Sequence, residues 1–380
     1  MKRIYIILLL CLSTLASLAC ERVGKRVLLY PSVDQFGEPV TLSGMISWPQ
    51  KKQPKGIILL PHFTIFANSE APSQNGTGEE KNFQKDFVLI MPDYIGYGAT
   101  KERVHPYLDG KLTARNCIDM ALHAMPILDS LQLRIPKDSI YIVGYSQGGA
   151  AAVWILKTIE ERYADRIHVK KCFAGSGPHD VAATYDEGVQ NNRILMPVTI
   201  PLLIKGTDAA YALNLYEEHF FTPEMQEIYE REMVKKEKTF GELFIQTINF
   251  ELSHWLTAKG MDKNDPETHR LYQGFLRSSL VHYPLDTLAD NKPDSLLLNL
   301  AEDRVIPTWE PRTPMLVFHS TNDNVVTFRC AENLHRRYAD NPYITWDFGE
   351  YGDHLSSSNR FFKLVREQLL ESHKSKKSRK

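Results

Sequence analysis

Short stretches of uninterrupted apolar residues recur along the chain and constrain its fold more than any other feature. They lie at 56–60, 87–91, 140–143 and 315–318. Strands that are apolar on both faces are typical of a parallel sheet covered by helices on both sides. Helical patterns alternate with these stretches, at 112–131, 147–162, 329–338 and 358–371. The alternation predicts an α/β fold with a mostly parallel central sheet and right-handed crossovers.

Residues from about 186 to 308 interrupt this alternation. Their pattern is helical and rich in aromatic residues, and Thr222-Pro223 is typical of a helix N-cap followed by proline at the first helical position. We predict a helical cap inserted between two strands of a single domain. The core then comprises 20–185 and 309–371, and residues 372–380 form a basic tail.

The first 19 residues have the features of a secretory signal. Lys2 and Arg3 precede an apolar stretch, and small residues follow it up to Cys20. Cys20 stands where a bacterial lipoprotein carries its lipid-modified cysteine, although Ser17 and Leu18 depart from the usual order of the cleavage motif. The sequence therefore predicts a lipid-anchored protein of the bacterial cell envelope. Ordinary secretion into the periplasm or beyond, and an uncleaved anchor, are the alternatives.

Composition argues against several other classes of protein. Lys and Arg total 45 against 46 Asp and Glu, so the chain lacks the basic excess of a nucleic-acid-binding protein. Cys117, Cys172 and Cys330 follow the signal without any metal-ligand spacing, so we expect buried free thiols and no metal site. Motifs for dinucleotide binding, phosphoryl transfer and zinc hydrolysis are missing from the sequence, and no cofactor is expected.

Residues 144–149, Gly-Tyr-Ser-Gln-Gly-Gly, separate a predicted strand from a predicted helix. In a G-x-S-x-G turn of this kind the serine adopts a strained backbone conformation, and glycines stand where side chains would collide. The turn presents Ser146 as a nucleophile. It also places the Gln147 amide at the helix N-terminus, where it can stabilise an oxyanion. A glycine-rich turn without chemistry is the alternative interpretation.

A serine nucleophile requires a base and an orienting carboxylate. His354 lies between a strand-like stretch and the last predicted helix, and Asp323 follows the apolar stretch 315–318. In an α/β-hydrolase sheet both positions meet the edge that carries Ser146, and their order along the chain is the expected one. We therefore predict a triad of Ser146, Asp323 and His354. Asp180 is the alternative acid.

These motifs resemble the α/β-hydrolase superfamily, and most of all its secreted lipase and esterase branch. Other similar segments lie at 92–98 (Pro-Asp-Tyr-Ile-Gly-Tyr-Gly), 105–108 (His-Pro-Tyr-Leu), 175–180 (Gly-Ser-Gly-Pro-His-Asp) and 309–311 (Trp-Glu-Pro). The resemblance implies a hydrolase of small-molecule or lipid esters that forms an acyl-enzyme. Residues 61–64, Pro-His-Phe-Thr, depart from the His-Gly often found in the family. The second oxyanion donor is therefore open between the Phe63 and Thr64 amides.

Two other functions remain open on this fold. A peptidase or amidase such as a capped aminopeptidase would need acidic groups in the cap to hold a substrate amine, and Glu217, Glu218 and Glu251 are available. A non-catalytic binding protein of the cell envelope would keep the fold without the chemistry. The presence of all three predicted triad residues argues against this second alternative.

Overall fold

The computed structural model describes residues 23–190, 199–213, 221–243, 245–246, 260–262, 265–267 and 306–377. The strands are β1 Val23–Val33, β2 Pro39–Pro49, β3 Ile57–Leu59, β4 Val88–Pro92, β5 Ile140–Tyr145, β6 Val169–Gly175, β7 Met315–Ser320 and β8 Ile344–Gly349. The α-helices are α1 Gly110–Ser130, α2 Gln147–Arg162, α3 Val181–Gln190, α4 Thr199–Tyr211, α5 Pro223–Ile228, α6 Phe328–Tyr338 and α7 His354–Lys377. The predicted signal, Cys20, Glu217, Glu218, Glu251 and most of the predicted cap lie outside the described residues.

The eight strands form one sheet in the order β1-β2-β4-β3-β5-β6-β7-β8. β2 pairs antiparallel with both β1 and β4, and every other pair is parallel. The carboxyl ends of β5, β6 and β7 therefore meet at one edge of the sheet. The prediction of a mostly parallel sheet with helices is confirmed.

Burial on both faces explains why the apolar stretches form the centre of the sheet. All residues of β3, β4 and β7 are buried. In β4, Val88 and Ile90 pack into a cluster with α1, α2 and α6, whereas Leu89 and Met91 pack on the opposite face with α7. Burying both sets of side chains fixes the helical layers on the two faces of the sheet. The three cysteines predicted to be free are buried thiols.

The described part of the predicted cap contains helical segments joined by turns. Thr222 caps α5 by accepting a hydrogen bond from the Met225 amide, with proline at the start of the helix, as predicted. A π-helical turn, Tyr229–Met233, continues from α5. Within the described residues no helix is both long and apolar enough to cross a membrane. The boundaries of core and cap stay predictions.

The segment after the π-helical turn is attached to the core through Lys236. Its ammonium group donates hydrogen bonds to the carbonyl oxygens of Gly96, Lys101 and Arg103, and it lies 5.2 Å from the centre of the Tyr97 ring. Hydrogen bonds to a charged donor are stronger than those between neutral groups. This contact holds the segment against the loop that follows β4.

Candidate active site

Ser146 lies in a sharp turn between β5 and α2. Its backbone has φ +56° and ψ −123°, a strained conformation for a residue with a side chain. A Cβ on Gly144 would lie 2.0 Å from the Gly148 carbonyl oxygen, so this position requires glycine. The Ser146 amide donates to the Gly175 carbonyl oxygen of β6 at 2.8 Å, which ties the turn to the neighbouring strand.

Ser146, His354 and Asp323 form one hydrogen-bonded row at the carboxyl edge of the sheet. Ser146 Oγ lies 2.9 Å from His354 Nε2, and His354 Nδ1 lies 2.7 Å from Asp323 Oδ2. Because a carboxylate only accepts, Nδ1 carries the imidazole proton and Nε2 faces the serine hydroxyl as an acceptor. The three side chains come from three separate elements that the sheet brings together.

Asp323 is held in a fixed orientation and in its ionised form. Its Oδ1 accepts hydrogen bonds from the Val325 and Val326 amides at 3.0 and 2.9 Å. Burial alone would raise the pKa of Asp323, but the nearby His354 and these donors outweigh burial, and the pKa falls below its usual value. His319 Nε2 lies 3.6 Å from Asp323 Oδ2, on the buried side of the carboxylate.

Asp180, the alternative acid, is engaged elsewhere. Its Oδ1 accepts from the Ala183 amide at the start of α3, and its Oδ2 accepts from the Asn333 side chain of α6 at 2.8 Å. The carboxylate therefore joins two helices, and His354 bonds to Asp323 instead.

The start of α7 is anchored to the serine turn through Tyr145. Its buried hydroxyl donates to the His354 carbonyl oxygen at 2.7 Å and lies 2.7 Å from Ser357 Oγ. Tyr145 and Ser146 are consecutive, so the same turn supports both the serine and the backbone of the histidine. The distance between Ser146 and His354 is thereby set by adjacent residues.

The loop after β3 lies against the N-terminus of α2. The Phe63 amide donates to Glu79 Oε2 at 3.2 Å, so this N–H already has an acceptor. The amides of Thr64 and Gln147 have no acceptor among the residues that the structure describes. Thr64 Oγ1 bonds to the Tyr107 hydroxyl at 2.9 Å. Of the two amides left open by the sequence, the Thr64 amide is therefore the better placed as a free donor.

The side chain of Gln147 is also fixed. His105 Nδ1 lies 2.7 Å from the Ile95 carbonyl oxygen and must donate to it. His105 Nε2 then accepts from Gln147 Nε2 at 2.8 Å. This contact helps to hold the first residue of α2.

A cavity of about 720 Å³ opens beside Ser146 and His354. The apolar residues that line it include Phe63, Tyr107, Leu108, Val181, Ile200, Leu203, Phe240 and Leu355. The polar residues that line it include Thr64, Thr184, Glu187, Asn322, Asn324, Thr327 and Ser358. Its size and mixed lining are typical of a small-molecule site.

Sequence reasoning missed two supports of this site. Glu79 stands in a Thr-Gly-Glu-Glu sequence that reads as a charged surface loop, and no pattern in it indicates burial. Tyr145 occupies a variable position of the G-x-S-x-G turn. Tyr145 ends a buried apolar strand, and a buried tyrosine hydroxyl usually needs a hydrogen-bond partner. This is the one signal in the sequence for its role.

No protein-family model matches the sequence, and no curated protein matches it at a significant level. Solved structures do. The cell-wall-degrading esterase LipA of Xanthomonas oryzae is 20% identical, with a TM-score of 0.69 over 94% of each chain. A Legionella pneumophila protein designated a hydrolase is 17% identical, with a TM-score of 0.66 over 92% of this chain and 88% of that one. Lipase A of Candida antarctica is 16% identical, with a TM-score of 0.54 over 88% of this chain and 73% of that one.

At these identities the similarities bear on the fold alone. The sheet order agrees with them, as does the turn around Ser146 that joins a parallel strand to a helix. The chain has the α/β-hydrolase fold.

Proposed function

We propose that the protein is a serine hydrolase that cleaves carboxylic esters. The hydrogen-bonded row from Ser146 through His354 to Asp323, at the wall of a cavity large enough for a small molecule, carries this proposal. Such a row supplies a nucleophile, a base and a group that orients the base. The esterases and lipases of similar fold support the choice of ester over other acyl substrates.

The reaction begins with transfer of the Ser146 proton to His354 Nε2 as Oγ attacks the ester carbonyl. Asp323 holds the Nδ1–H tautomer and stabilises the imidazolium that forms. His354 then protonates the leaving alcohol, and the C–O bond of the ester breaks to give an acyl-enzyme. A water molecule, activated by the same imidazole, attacks the acyl group and releases the acid with Ser146 restored.

The amides of Gln147 and Thr64 are the proposed donors to the tetrahedral oxyanion. Gln147 begins α2, where the helix dipole also favours negative charge. Thr64 lies in the loop after β3, which packs against the N-terminus of α2, and it lines the cavity with Ser146. Hydrogen bonds at Phe63 and at the Gln147 side chain hold both segments before substrate binds. Donors that are already in position stabilise the oxyanion more than water does, because they need not reorient during the reaction.

The lining of the cavity supports short to medium acyl esters as substrates. Each methylene buried against apolar side chains contributes about 0.8 kcal/mol, so activity should rise with acyl length until the cavity is filled. No cofactor takes part in this chemistry. The predicted signal and Cys20 extend the proposal to an enzyme that acts in the bacterial cell envelope, lipid-anchored or secreted.

Covalent labelling tests the nucleophile. A fluorophosphonate probe should label the wild type, and Ser146→Ala should abolish both labelling and ester hydrolysis while the fold is retained. Ser358→Ala is the matched control, because Ser358 lines the same cavity but its hydroxyl bonds to the Leu355 carbonyl oxygen. Full labelling of Ser146→Ala would refute the proposal.

A substrate panel tests the reaction class. We expect 4-nitrophenyl esters of increasing chain length to be hydrolysed with a much higher kcat/KM than aminoacyl 4-nitroanilides. Strong anilide turnover with negligible ester turnover would instead support the capped peptidase. That outcome would leave the triad in place and direct attention to the carboxylates of the cap.

A further inference from the structure

We propose that Glu79 is a positioning residue for the oxyanion donor, acting through the Phe63 amide to direct the Thr64 N–H. The inference rests on the proposed function and deepens it. It concerns a buried acid that the reaction itself does not use, located behind the loop that departs from the family pattern.

The first anchor of the loop is the Glu79 carboxyl group. Glu79 is only 3% exposed and begins a short 3-10 turn, Glu79–Asn82. Its Oε2 accepts from the Phe63 amide at 3.2 Å and from Thr77 Oγ1 at 3.1 Å. The Thr77 hydroxyl therefore fixes the same oxygen that accepts the Phe63 hydrogen bond. The position of the Phe63 N–H is set by these two contacts together.

The second anchor is His62, on the other side of Phe63. His62 Nδ1 lies 2.5 Å from the Phe63 carbonyl oxygen. The imidazole is buried and stacks on the Tyr94 ring with a centroid distance of 4.0 Å, and the Tyr94 hydroxyl donates to the His62 carbonyl oxygen at 3.2 Å. The ring cannot turn without losing this stack, so the Phe63 carbonyl group is held firmly.

These anchors determine where the Thr64 amide points. A trans peptide is planar, and its N–H points opposite to its C=O. The Phe63 carbonyl group faces the buried His62 ring, so the Thr64 N–H of the same peptide is directed away from that ring. Thr64 itself lines the cavity with Ser146. Because the N–H and C=O groups of Phe63 are both fixed, the direction of the Thr64 N–H is fixed as well.

The surroundings of Glu79 keep its carboxyl group neutral at neutral pH. Burial raises the pKa of Glu79 to about 8 and outweighs the Phe63 and Thr77 hydrogen bonds, which favour the ionised form, while Glu80 adds a smaller repulsion. The other titratable neighbours are Tyr94 and, beyond Phe63, His62, whose pKa is lowered by burial against the opposing effect of the Phe63 and Asp93 carbonyl oxygens. A neutral carboxyl group accepts the Phe63 N–H without placing a negative charge behind the oxyanion.

Two substitutions separate positioning from packing. Glu79→Leu removes the acceptor and should lower kcat about 10- to 100-fold with KM changed less than about twofold, since a misdirected donor affects only the transition state. Glu79→Gln keeps an acceptor oxygen and should retain kcat within about threefold. Glu80→Leu is the matched control, because its buried carboxyl group belongs to the same turn but bonds to the Gly78 amide.

The pH profile keeps the test decisive if Glu79→Leu fails to fold, and hydrogen exchange adds a second readout where the variant folds. The wild-type kcat should decline above about pH 8 as Glu79 ionises, and Glu79→Gln should lack this decline. Hydrogen exchange of the Phe63 amide should be slow in the wild type and in Glu79→Gln, and faster in Glu79→Leu.

The outcomes are distinguishable from failure of the proposed function. A wild type that hydrolyses no ester contradicts the esterase itself. An active wild type in which Glu79→Leu keeps full kcat, or in which Glu79→Gln shows the same decline above pH 8, overturns the role of Glu79 alone.

Discussion

Replacing Gly148 with alanine tests whether the loop after β3 must approach α2 closely for activity. Gly148 follows Gln147 in α2, and its Cα faces the backbone of the loop that carries Thr64. A Cβ there would lie 2.2 Å from the Pro61 carbonyl oxygen and 3.1 Å from the His62 carbonyl carbon. Both are backbone atoms, so no side chain can rotate away to relieve the contact.

The size of the effect follows from these distances. Ordinary contact for a Cβ begins near 3.4 Å, so the loop backbone must move by about 1 Å. A misplacement of about 1 Å at a reacting group can cost about 100-fold in rate, which corresponds to about 2.7 kcal/mol of transition-state stabilisation. Alanine is otherwise the better helix former by about 0.5–1 kcal/mol, which partly offsets the strain and favours a folded variant.

The assay is kcat/KM on a 4-nitrophenyl ester, with thermal unfolding measured on the same samples. Gly241→Ala is the control, because a Cβ at Gly241 would meet no atom within 4 Å among the described residues outside its own helical turn. We expect Gly148→Ala to lose about 100-fold in kcat/KM and Gly241→Ala to lose almost nothing. A folded Gly148→Ala with activity within threefold of wild type would refute the link between loop position and catalysis.

Three further predictions concern the acid of the triad, the predicted lipid anchor and the ionisation of Glu79. Asp323→Asn should lower kcat about 10⁴-fold and Asp180→Asn less than tenfold, and the reverse order would identify Asp180 as the acid. Cys20→Ala should release the protein from membranes into the soluble fraction, whereas a wild type already soluble with unmodified Cys20 would indicate ordinary secretion. Because burial raises the pKa of Glu79 from 4.5 to about 8, the folded protein keeps a proton that the unfolded chain releases. Its free energy of unfolding should therefore fall between these pH values by up to about 5 kcal/mol, and urea titrations of Glu79→Gln should lack this part of the fall.

The sheet could be predicted because its signal is local. Four apolar stretches became β3, β4, β5 and β7 with bounds within about two residues, since burial on both faces leaves no polar position inside them. The order of the strands could not be obtained this way, because pairing joins residues far apart in the sequence. The pairing of β2 antiparallel to β4 is one such result.

The start of α7 shows where periodicity is insufficient. The apolar pattern predicts a helix from 358, but the helix begins at His354. Asp353 supports the earlier start by accepting from the Ser356 amide at 2.7 Å, and the first turn contains serines that carry no apolar pattern. This difference matters to the site, because it makes the predicted base the first residue of a helix, fixed by the Tyr145 hydroxyl rather than by a loop.

The candidate site also combines residues that the sequence predicts with one that only the structure shows. Ser146 is set by a motif within one turn, and His354 and Asp323 follow strand ends that the sequence marks. Glu79 depends on a contact between a loop amide and a side chain 16 residues later, which no sequence pattern records. The sequence alone shows that Phe63 departs from the family pattern. That its amide bonds to Glu79 can be seen only in the structure.

Phe63 and Glu79 are best understood as two parts of one arrangement. A glycine at position 63 would leave the backbone of the loop free to choose its orientation, whereas phenylalanine restricts it and adds an aromatic surface to the cavity. With its amide bonded to Glu79, Phe63 has no free N–H left to donate to an oxyanion, and its carbonyl oxygen is held by His62. In our proposal, donation to the oxyanion passes to Thr64, the next residue, whose N–H belongs to the peptide that the Phe63 carbonyl group fixes. Under the proposed function, the change that removes the family's glycine therefore also explains why an acid is buried behind the loop.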